Sequence, residues 1–160
     1  CGKSTLAADI YKTMKCDDIN VELVREYVKA WAWRGDKIRK YDELYIFAKQ
    51  LREESNLYGK VDFIVTDRPL NMSAVYDRWY GGSDLLVENC RRIREMQAQD
   101  DIAHVDLLVR REKKYKQAGR FESEGDASSI DDLTKQMFPH LIDVSTVGDV
   151  LQQLRLRELA

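Results

Sequence analysis

The sequence is poor in cysteine, histidine and proline, and these shortages argue against several kinds of site. Among 160 residues there are three cysteines, two histidines and two prolines. The cysteines show neither the paired spacing of zinc ligands nor the density of a disulfide scaffold, so we interpret them as reduced thiols. Two isolated histidines offer little material for a metal site or a catalytic triad.

Long apolar runs and an excess of charge of one sign are also missing. No run approaches the roughly 20 residues that cross a bilayer, and the first residues lack the pattern of a secretion signal. Lys and Arg number 26 against 28 Asp and Glu, a net charge of −2, so no overall field would attract nucleic acid or an acidic membrane. The sequence therefore predicts a cytoplasmic protein with one domain over residues 1–160, in which any anion site is local.

Hydrophobic periodicity predicts an alternation of helices and strands. Apolar residues recur at helical spacing, whereas β-branched apolar runs indicate buried parallel strands. Such alternation is typical of an α/β sandwich with a parallel sheet between two helical layers and ligands at the carboxyl ends of its strands. The predicted helices cover residues 5–15, 26–33, 42–58 and 85–99, and the predicted strands cover 20–24, 61–66, 105–109 and 141–144.

The first five residues match the second half of a phosphate-binding loop, G-x-x-x-x-G-K-[ST]. Cys1 and Gly2 would bring the backbone to the phosphates of ATP, Lys3 would bridge the β and γ phosphates, and Ser4, followed by Thr5, would ligate Mg²⁺. The alternative is an incidental helix start capped by Ser or Thr. Because half the loop and its strand would precede Cys1, we expect an N-terminally truncated chain whose complete fold is a three-layer phosphate-loop sandwich with a five-stranded parallel sheet.

A second pair of candidate residues follows the predicted strand 61–66. Asp67 closes this apolar strand, where phosphate-loop enzymes place a carboxylate that holds Mg²⁺ directly or through water. The alternative role for Asp67 is to cap the next helix. Arg68 is predicted to bind an anionic substrate through its forked guanidinium, with an ordinary surface salt bridge as the alternative.

Residues 110–120 hold six cations directly after the third predicted strand. Because this segment begins at a carboxyl strand end and contains Gly119 as a hinge, we predict a basic lid over the ATP phosphates. Arg110 and Arg120 would then stabilise charge on the transferred phosphoryl group and count as catalytic, together with Lys3 and Asp67 of the preceding motifs. The alternatives are a solvated charged face or a nucleic-acid patch.

These motifs together resemble the phosphate-loop kinases, and more closely the ATP-binding domains grouped with the ribosylnicotinamide kinase domain of bacterial NAD-biosynthesis regulators, many of them phage-encoded. The aspartate and arginine after the third strand are also similar to those of deoxynucleoside and thymidylate kinases. The resemblance implies ATP- and Mg²⁺-dependent phosphorylation of a nucleoside, nucleotide or nucleoside-like small molecule. It rests on Gly2-Lys3-Ser4-Thr5, Arg25-Glu26-Tyr27, Asp67-Arg68 and residues 115–131.

The resemblance also implies a substrate-binding role for Glu26, as the base or hydroxyl-binding group for the acceptor. The alternative is a carboxylate at a helix start. Tyr27, Trp31 and Trp33 are candidates for stacking on a base, or are core residues. The predicted function is that of a small-molecule kinase using ATP and Mg²⁺, and the alternatives are an ATP-dependent regulatory or ATPase module and a polynucleotide-directed kinase.

Overall fold

Helices dominate this protein. The computed structural model describes residues 2–39, 41–110 and 121–158, with side chains up to residue 155 in the last helix. Helical residues make up 57% of this described part, and none of its helices is both long and apolar enough to cross a membrane. The elements are α1 (Lys3–Cys16), β1 (Val21–Val24), α2 (Lys29–Arg34), α3 (Asp42–Ser55), β2 (Phe63–Thr66), α4 (Asn71–Trp79), α5 (Leu85–Gln99), β3 (Leu107–Val109), α6 (Glu124–Met137), β4 (Ile142–Val144) and α7 (Val147–Glu158).

The strands pair as two separate two-stranded parallel sheets within the described residues, so the predicted five-stranded sandwich is wrong. Each predicted strand segment does form a strand, but only three or four residues long. Apolar runs identify strands without identifying their partners, and here β2 and β3 line a cavity of about 700 Å³ instead of pairing with each other. The registers run from Val21↔Phe63 to Val24↔Thr66 and from Leu107↔Ile142 to Val109↔Val144.

Helix α1 packs against both sheets and against α7. Its apolar residues lie three and four positions apart, which places them on one face of the helix. They meet β1 and β4 in a first core cluster. This packing fixes the amino end of α1, where the predicted phosphate loop lies. The buried members of the cluster are Leu6, Ile10, Met14, Val21, Val144 and Val150.

A second core cluster lies between α3, α4 and α5 and contains Phe47, Leu86 and Cys90. Apolar spacing over residues 42–58 predicts one helical face with Leu44, Phe47, Ala48, Leu51 and Tyr58, but Leu44 is 47% exposed. The buried face instead carries polar groups, since Glu43 is fully buried. The helix is rotated by about one residue from the expected orientation, which turns a carboxylate toward the end of β2.

Helix α2 is shorter than predicted and ends at Gly35, whose φ of 74° is the left-handed conformation that glycine adopts most easily. The helix begins at Lys29 rather than at Glu26. Glu26 therefore lies in the connection between β1 and α2, outside the first turn of a helix. The predicted helix start at residue 26 is therefore wrong, while an interaction of the Glu26 carboxylate with the α2 macrodipole stays a prediction.

Candidate functional site

A cavity of about 240 Å³ opens between the amino end of α1, the connection that follows β1, and α4. Residues from three separate predicted motifs meet there, although they are far apart in the chain. The structure thus brings together most of the described residues that the sequence marked as a site. These are Gly2, Lys3, Ser4, Thr5, Glu26 and Arg68.

The amino end of α1 is open toward this cavity. Gly2 is the N-cap residue, and no side chain caps the helix, so the alternative in which Ser4 or Thr5 acts as a cap is wrong. The side chains of Lys3, Ser4 and Thr5 are exposed, and no acidic residue lies in the first turn. Free backbone N–H groups, the positive end of the helix macrodipole and the Lys3 ammonium group therefore favour an anion at this position.

Arg68 lines the cavity and belongs to a buried network of charges. It is only 3% exposed; its Nη1 donates to Glu26 Oε1 at 3.0 Å and its Nη2 donates to Glu43 Oε2 at 2.8 Å. The guanidinium also lies 4.7 Å from the centre of the Tyr76 ring. The predicted alternative of a surface salt bridge is therefore wrong, because the ion pairs are buried. Substrate binding by Arg68 stays a prediction.

In this network, burial and the neighbouring charges shift the pKa values of Glu43 and Arg68 in opposite directions. Burial raises the pKa of Glu43 to about 7, although Arg68 acts in the opposite direction. Burial acts to lower the pKa of Arg68, but the carboxylates of Glu43 and Glu26 outweigh it, so the pKa of Arg68 rises and the guanidinium stays charged. Burial also raises the pKa of Tyr76, which keeps its phenol neutral. Arg68 therefore remains a cation at neutral pH.

Asp67 holds the backbone of Glu26. Its Oδ1 accepts a hydrogen bond from the Glu26 N–H at 2.8 Å. The predicted alternative, a cap on the next helix, is wrong because α4 has Leu70 at its N-cap and no side-chain cap. Asp67 and Lys3 both line a neighbouring groove. Asp67 thus fixes the main chain of Glu26, and the adjacent Arg68 fixes its side chain.

The predicted magnesium ligands are Ser4 and Asp67; Ser4 lines the cavity, whereas Asp67 does not and lines the neighbouring groove instead. Mg²⁺ in phosphoryl-transfer sites takes only one or two protein ligands and completes its shell with phosphates and water. In the described part of the chain, no group of three or more His, Cys, Asp and Glu side chains is placed to hold a metal. The magnesium role stays a prediction.

The predicted lid is only partly described. Arg110 is exposed and its Nε lies 3.5 Å from Asp143 Oδ2, and it does not line the cavity. Arg120 falls within residues 111–120, which lie outside the described residues, as does Cys1. The predicted roles of Arg120 and Cys1 stay predictions.

The two residues that follow this segment do reach the cavity. Phe121 and Glu122 line its wall, and the Tyr80 hydroxyl donates to Glu122 Oε1 at 3.3 Å. Residues 121 and 122 therefore lie at the candidate site, against the end of α4. Both residues belong to the segment 115–131 that carries the family resemblance, but the sequence analysis assigned neither of them a role in the site.

An aromatic cluster lies beside Glu26 on the surface. Trp31 stacks on Tyr45 with ring centres 6.1 Å apart, and Tyr27 meets both rings edge-on at 6.3 and 5.9 Å. The Lys49 ammonium group lies 6.0 Å from the Tyr27 ring. We call Tyr27, Trp31, Tyr45 and Lys49 the aromatic cluster. Trp33, also predicted to stack, is 67% exposed.

Sequence analysis missed Glu43 and Tyr76 because neither belongs to a motif. A signal for Glu43 was present: it lies three and four residues before Ile46 and Phe47, so it shares their helical face. A carboxylate on an apolar face needs a buried partner, and such a partner is usually a cation. That pattern would have indicated a buried ion pair without naming Arg68.

Comparison with known proteins gives no match to this chain among family models, curated proteins or solved structures. The resemblance to phosphate-loop kinases therefore stays a prediction from the motifs.

Proposed function

We propose that this protein binds ATP with Mg²⁺ and transfers the γ-phosphoryl group to a hydroxyl of a nucleoside, nucleotide or nucleoside-like small molecule. One observation carries the proposal: the open amino end of α1, with Lys3, faces the same cavity as the carboxylate of Glu26. A phosphate-binding element and an acceptor-binding carboxylate are the two parts that such a transfer needs side by side.

The phosphates of ATP are placed at the start of α1. Backbone N–H groups of Lys3, Ser4 and Thr5 and the Lys3 ammonium group would bind phosphate oxygens and offset their negative charge. Ser4 and Asp67 would hold Mg²⁺. When bound, the ion would neutralise negative charge on the β and γ phosphates. Pockets that enclose a drug-sized ligand have about 300–1,000 Å³, so a cavity of about 240 Å³ suits part of a nucleotide or an acceptor.

Glu26 is placed to orient the acceptor. Its Oε1 is held by Arg68 at 3.0 Å, and its side chain is 30% exposed. The carboxylate can thus accept a hydrogen bond from an acceptor hydroxyl and take up its proton as the bond to phosphorus forms. Alignment matters more than proton removal in phosphoryl transfer, which suits a carboxylate fixed by two neighbours.

Transfer of label from γ-³²P ATP tests the proposal. The protein is incubated with Mg²⁺ and a panel of nucleosides, nucleoside monophosphates, nicotinamide riboside and a DNA oligonucleotide. We expect label on one small acceptor. Lys3→Ala should abolish the transfer, whereas Lys12→Ala, which removes an exposed lysine further along α1, should leave it unchanged. Equal activity in the two variants would contradict the phosphate-binding role of the helix start.

A Glu26→Gln variant separates the acceptor site from the phosphate site. We expect its turnover to fall by about 10²-fold, near the lower limit for loss of a general base, with the KM for ATP unchanged. Glu22→Gln, an exposed change on β1, is the matched control. Normal turnover in the Glu26→Gln variant would show that Glu26 takes no part in the reaction. Label found only as free phosphate would indicate an ATPase.

The aromatic cluster favours one second candidate, a polynucleotide-directed kinase. Stacked rings beside a lysine are the combination that binds single-stranded bases and their phosphates. In this alternative the acceptor hydroxyl belongs to the end of a DNA or RNA strand. The oligonucleotide in the acceptor panel distinguishes the two.

A further inference from the structure

Glu43 is a fully buried carboxylate that the proposed reaction does not use. It has no exposed surface and does not line the cavity. Glu26, the other carboxylate bound to Arg68, lines the cavity with its side chain 30% exposed. A buried ion pair stabilises a fold no better than well-packed apolar side chains of similar volume. Stability alone therefore does not account for a charged group at this position of α3.

The contact between Glu43 and Arg68 determines how the guanidinium is oriented. Glu43 Oε2 accepts a hydrogen bond from Arg68 Nη2 at 2.8 Å, while Arg68 Nη1 donates to Glu26 Oε1 at 3.0 Å. The guanidinium is a planar, rigid fork, so a bond at one terminal nitrogen fixes the direction of the other. Arg68 Nε has no hydrogen-bond partner among the residues that the structure describes. Within this part of the chain, the two carboxylates therefore supply the hydrogen bonds that orient the guanidinium.

The fold holds these two carboxylates with different precision. Glu43 shares the buried face of α3 with Ile46 and Phe47, and α3 packs against α4. Glu26 lies in the connection between β1 and α2 instead. A side chain on a packed helix is held more precisely than one on a loop. Glu43 is therefore the rigid end of the network, and Arg68 connects it to Glu26.

We propose that Glu43 is a positioning residue for phosphoryl transfer, which holds Arg68 so that the Glu26 carboxylate is directed at the acceptor hydroxyl. This inference rests on the function proposed above. Glu43 touches neither ATP nor the acceptor. Without it, Arg68 stays paired with Glu26, but the pair can turn together and the angle at which Glu26 meets the acceptor is no longer fixed. Misplacement by about 1 Å in such an alignment can lower turnover by about 10²-fold.

Steady-state transfer by a Glu43→Leu variant tests the proposal, because leucine removes the contact and leaves Arg68 paired with Glu26. We expect kcat to fall by about tenfold with the KM for ATP unchanged, since a loss of alignment acts on the transition state. Glu43→Gln, which keeps an oxygen for Arg68 Nη2, should recover most of the loss. If Glu43→Leu does not fold, Glu43→Asp, which withdraws the carboxylate by one methylene group, replaces it.

Glu54→Leu is the matched structural control. Glu54 lies on the same helix and is 7% exposed, and burial raises its pKa to about 7, as it does for Glu43. It does not line the cavity that contains Glu26. The two substitutions therefore remove similar buried carboxylates, but only Glu43→Leu should lower kcat. Equal kcat values in the two variants would overturn the proposal.

A double-mutant cycle with Glu26→Gln shows whether Glu43 acts through Glu26. In the Glu26→Gln protein, Glu43→Leu should change kcat by less than about twofold, because the carboxylate that Glu43 positions is already lost. A fall of about tenfold in both backgrounds would show that Glu43 acts independently of Glu26 and would also overturn the proposal.

Nuclear magnetic resonance measures the position of Arg68 without phosphoryl transfer. The guanidinium hydrogens of Arg68 are identified by the signal that Arg68→Lys removes. We expect them to exchange with water about tenfold faster in Glu43→Leu than in the parent protein, and at the parent rate in Glu54→Leu. Unchanged exchange in Glu43→Leu contradicts the proposal even where label is transferred. A parent protein that transfers no label contradicts the proposed function instead, and the exchange rates then decide whether Glu43 positions Arg68.

Discussion

At the scale of single residues, the candidate site depends on the buried guanidinium of Arg68. Its two carboxylate partners come from different parts of the chain, Glu26 after β1 and Glu43 on α3. A buried ion pair adds little stability compared with a well-packed apolar pair, but removal of one partner is costly because the remaining charge is left in a poorly solvated place. Arg68 is therefore placed to orient Glu26 rather than to stabilise the fold.

The stability of variants at Arg68 checks this assignment. We expect Arg68→Ala to lower the free energy of unfolding by about 3–5 kcal/mol, because Glu43 loses its cation. The double variant Arg68→Met with Glu43→Gln should regain much of the loss, since it leaves no unpaired charge inside. Urea unfolding measures both, and Arg52→Ala, an exposed change on α3, should stay within about 0.5 kcal/mol of the parent. A loss below about 1 kcal/mol for Arg68→Ala would contradict a buried ion pair of this kind.

The stability of the protein should depend on pH through two buried glutamates. Burial raises the pKa of Glu54 to about 7 from 4.5, and Glu43 behaves in the same way. The folded state then binds these protons more tightly than the unfolded chain does. Their stabilising contribution is full below pH 4.5 and is lost as the pH rises through 7, so the free energy of unfolding should fall over this interval.

A Glu54→Gln variant isolates one of these groups. The amide keeps an oxygen for the hydrogen bond from Gln50 Nε2 but has no proton to lose. Between about pH 5 and 8, we expect the free energy of unfolding to fall by roughly 1–3 kcal/mol less in this variant than in the parent protein. Urea unfolding at several pH values measures this, with Glu53→Gln as an exposed neighbouring control. A profile identical to that of the parent would show that Glu54 does not titrate in this range.

At the scale of secondary-structure elements, the end of α4 depends on two glycines. Gly81 has a φ of 78°, the left-handed conformation that ends many helices. At Gly82 a Cβ atom would lie 2.1 Å from Asp77 Oδ1 and 2.6 Å from the Asp77 carbonyl oxygen. The side chain of Asp77 could rotate away, but its backbone could not, so this close approach requires glycine.

A substitution at this turn tests the packing of α4 against the chain that follows. We expect Gly82→Ala to lower the free energy of unfolding by about 1–3 kcal/mol, the usual cost of overpacking. Gly125→Ala is the matched control, because there the nearest atom to a new Cβ is Ser123 Oγ at 3.9 Å. Thermal unfolding of both variants measures the difference. Equal midpoints would show that the turn relaxes freely.

The elements show how far the sequence alone could lead. Strand and helix segments follow from local patterns, and α5 covers exactly the range expected from its periodicity, residues 85–99. The pairing of strands depends on contacts between distant residues and was predicted wrongly. The same division holds at the site: the motif that contains Lys3 was visible in the chain, whereas Glu43 reaches Arg68 only because α3 is rotated.

At the scale of the whole molecule, the balance of charge bears on the choice between the two candidate functions. A net charge of −2 gives no general attraction for a polyanion. Polynucleotide binding would then depend on local cations such as Lys49, and it would weaken steeply with salt as counterions are released. A nucleoside acceptor carries no phosphate, so its binding releases no counterions.

The salt dependence of acceptor affinity therefore separates the candidates. For a small nucleoside acceptor we expect the KM to change less than about threefold between 50 and 200 mM salt, whereas contact with several phosphates would change it by orders of magnitude. Steady-state transfer at constant ATP measures this, with Lys49→Ala as a second arm. A steep salt dependence that Lys49→Ala reduces would favour the polynucleotide-directed kinase.

The double anchoring of Glu26 has a consequence for the thermodynamics of binding. Asp67 fixes its main chain and Arg68 its carboxylate before any ligand arrives. Ordering a glutamate side chain normally costs conformational entropy, and in this protein folding has already met most of that cost. Without the Arg68 contact, the Glu26 side chain would be mobile before the acceptor binds. Binding would then have to order this side chain, so calorimetry should show a less favourable entropy of acceptor binding.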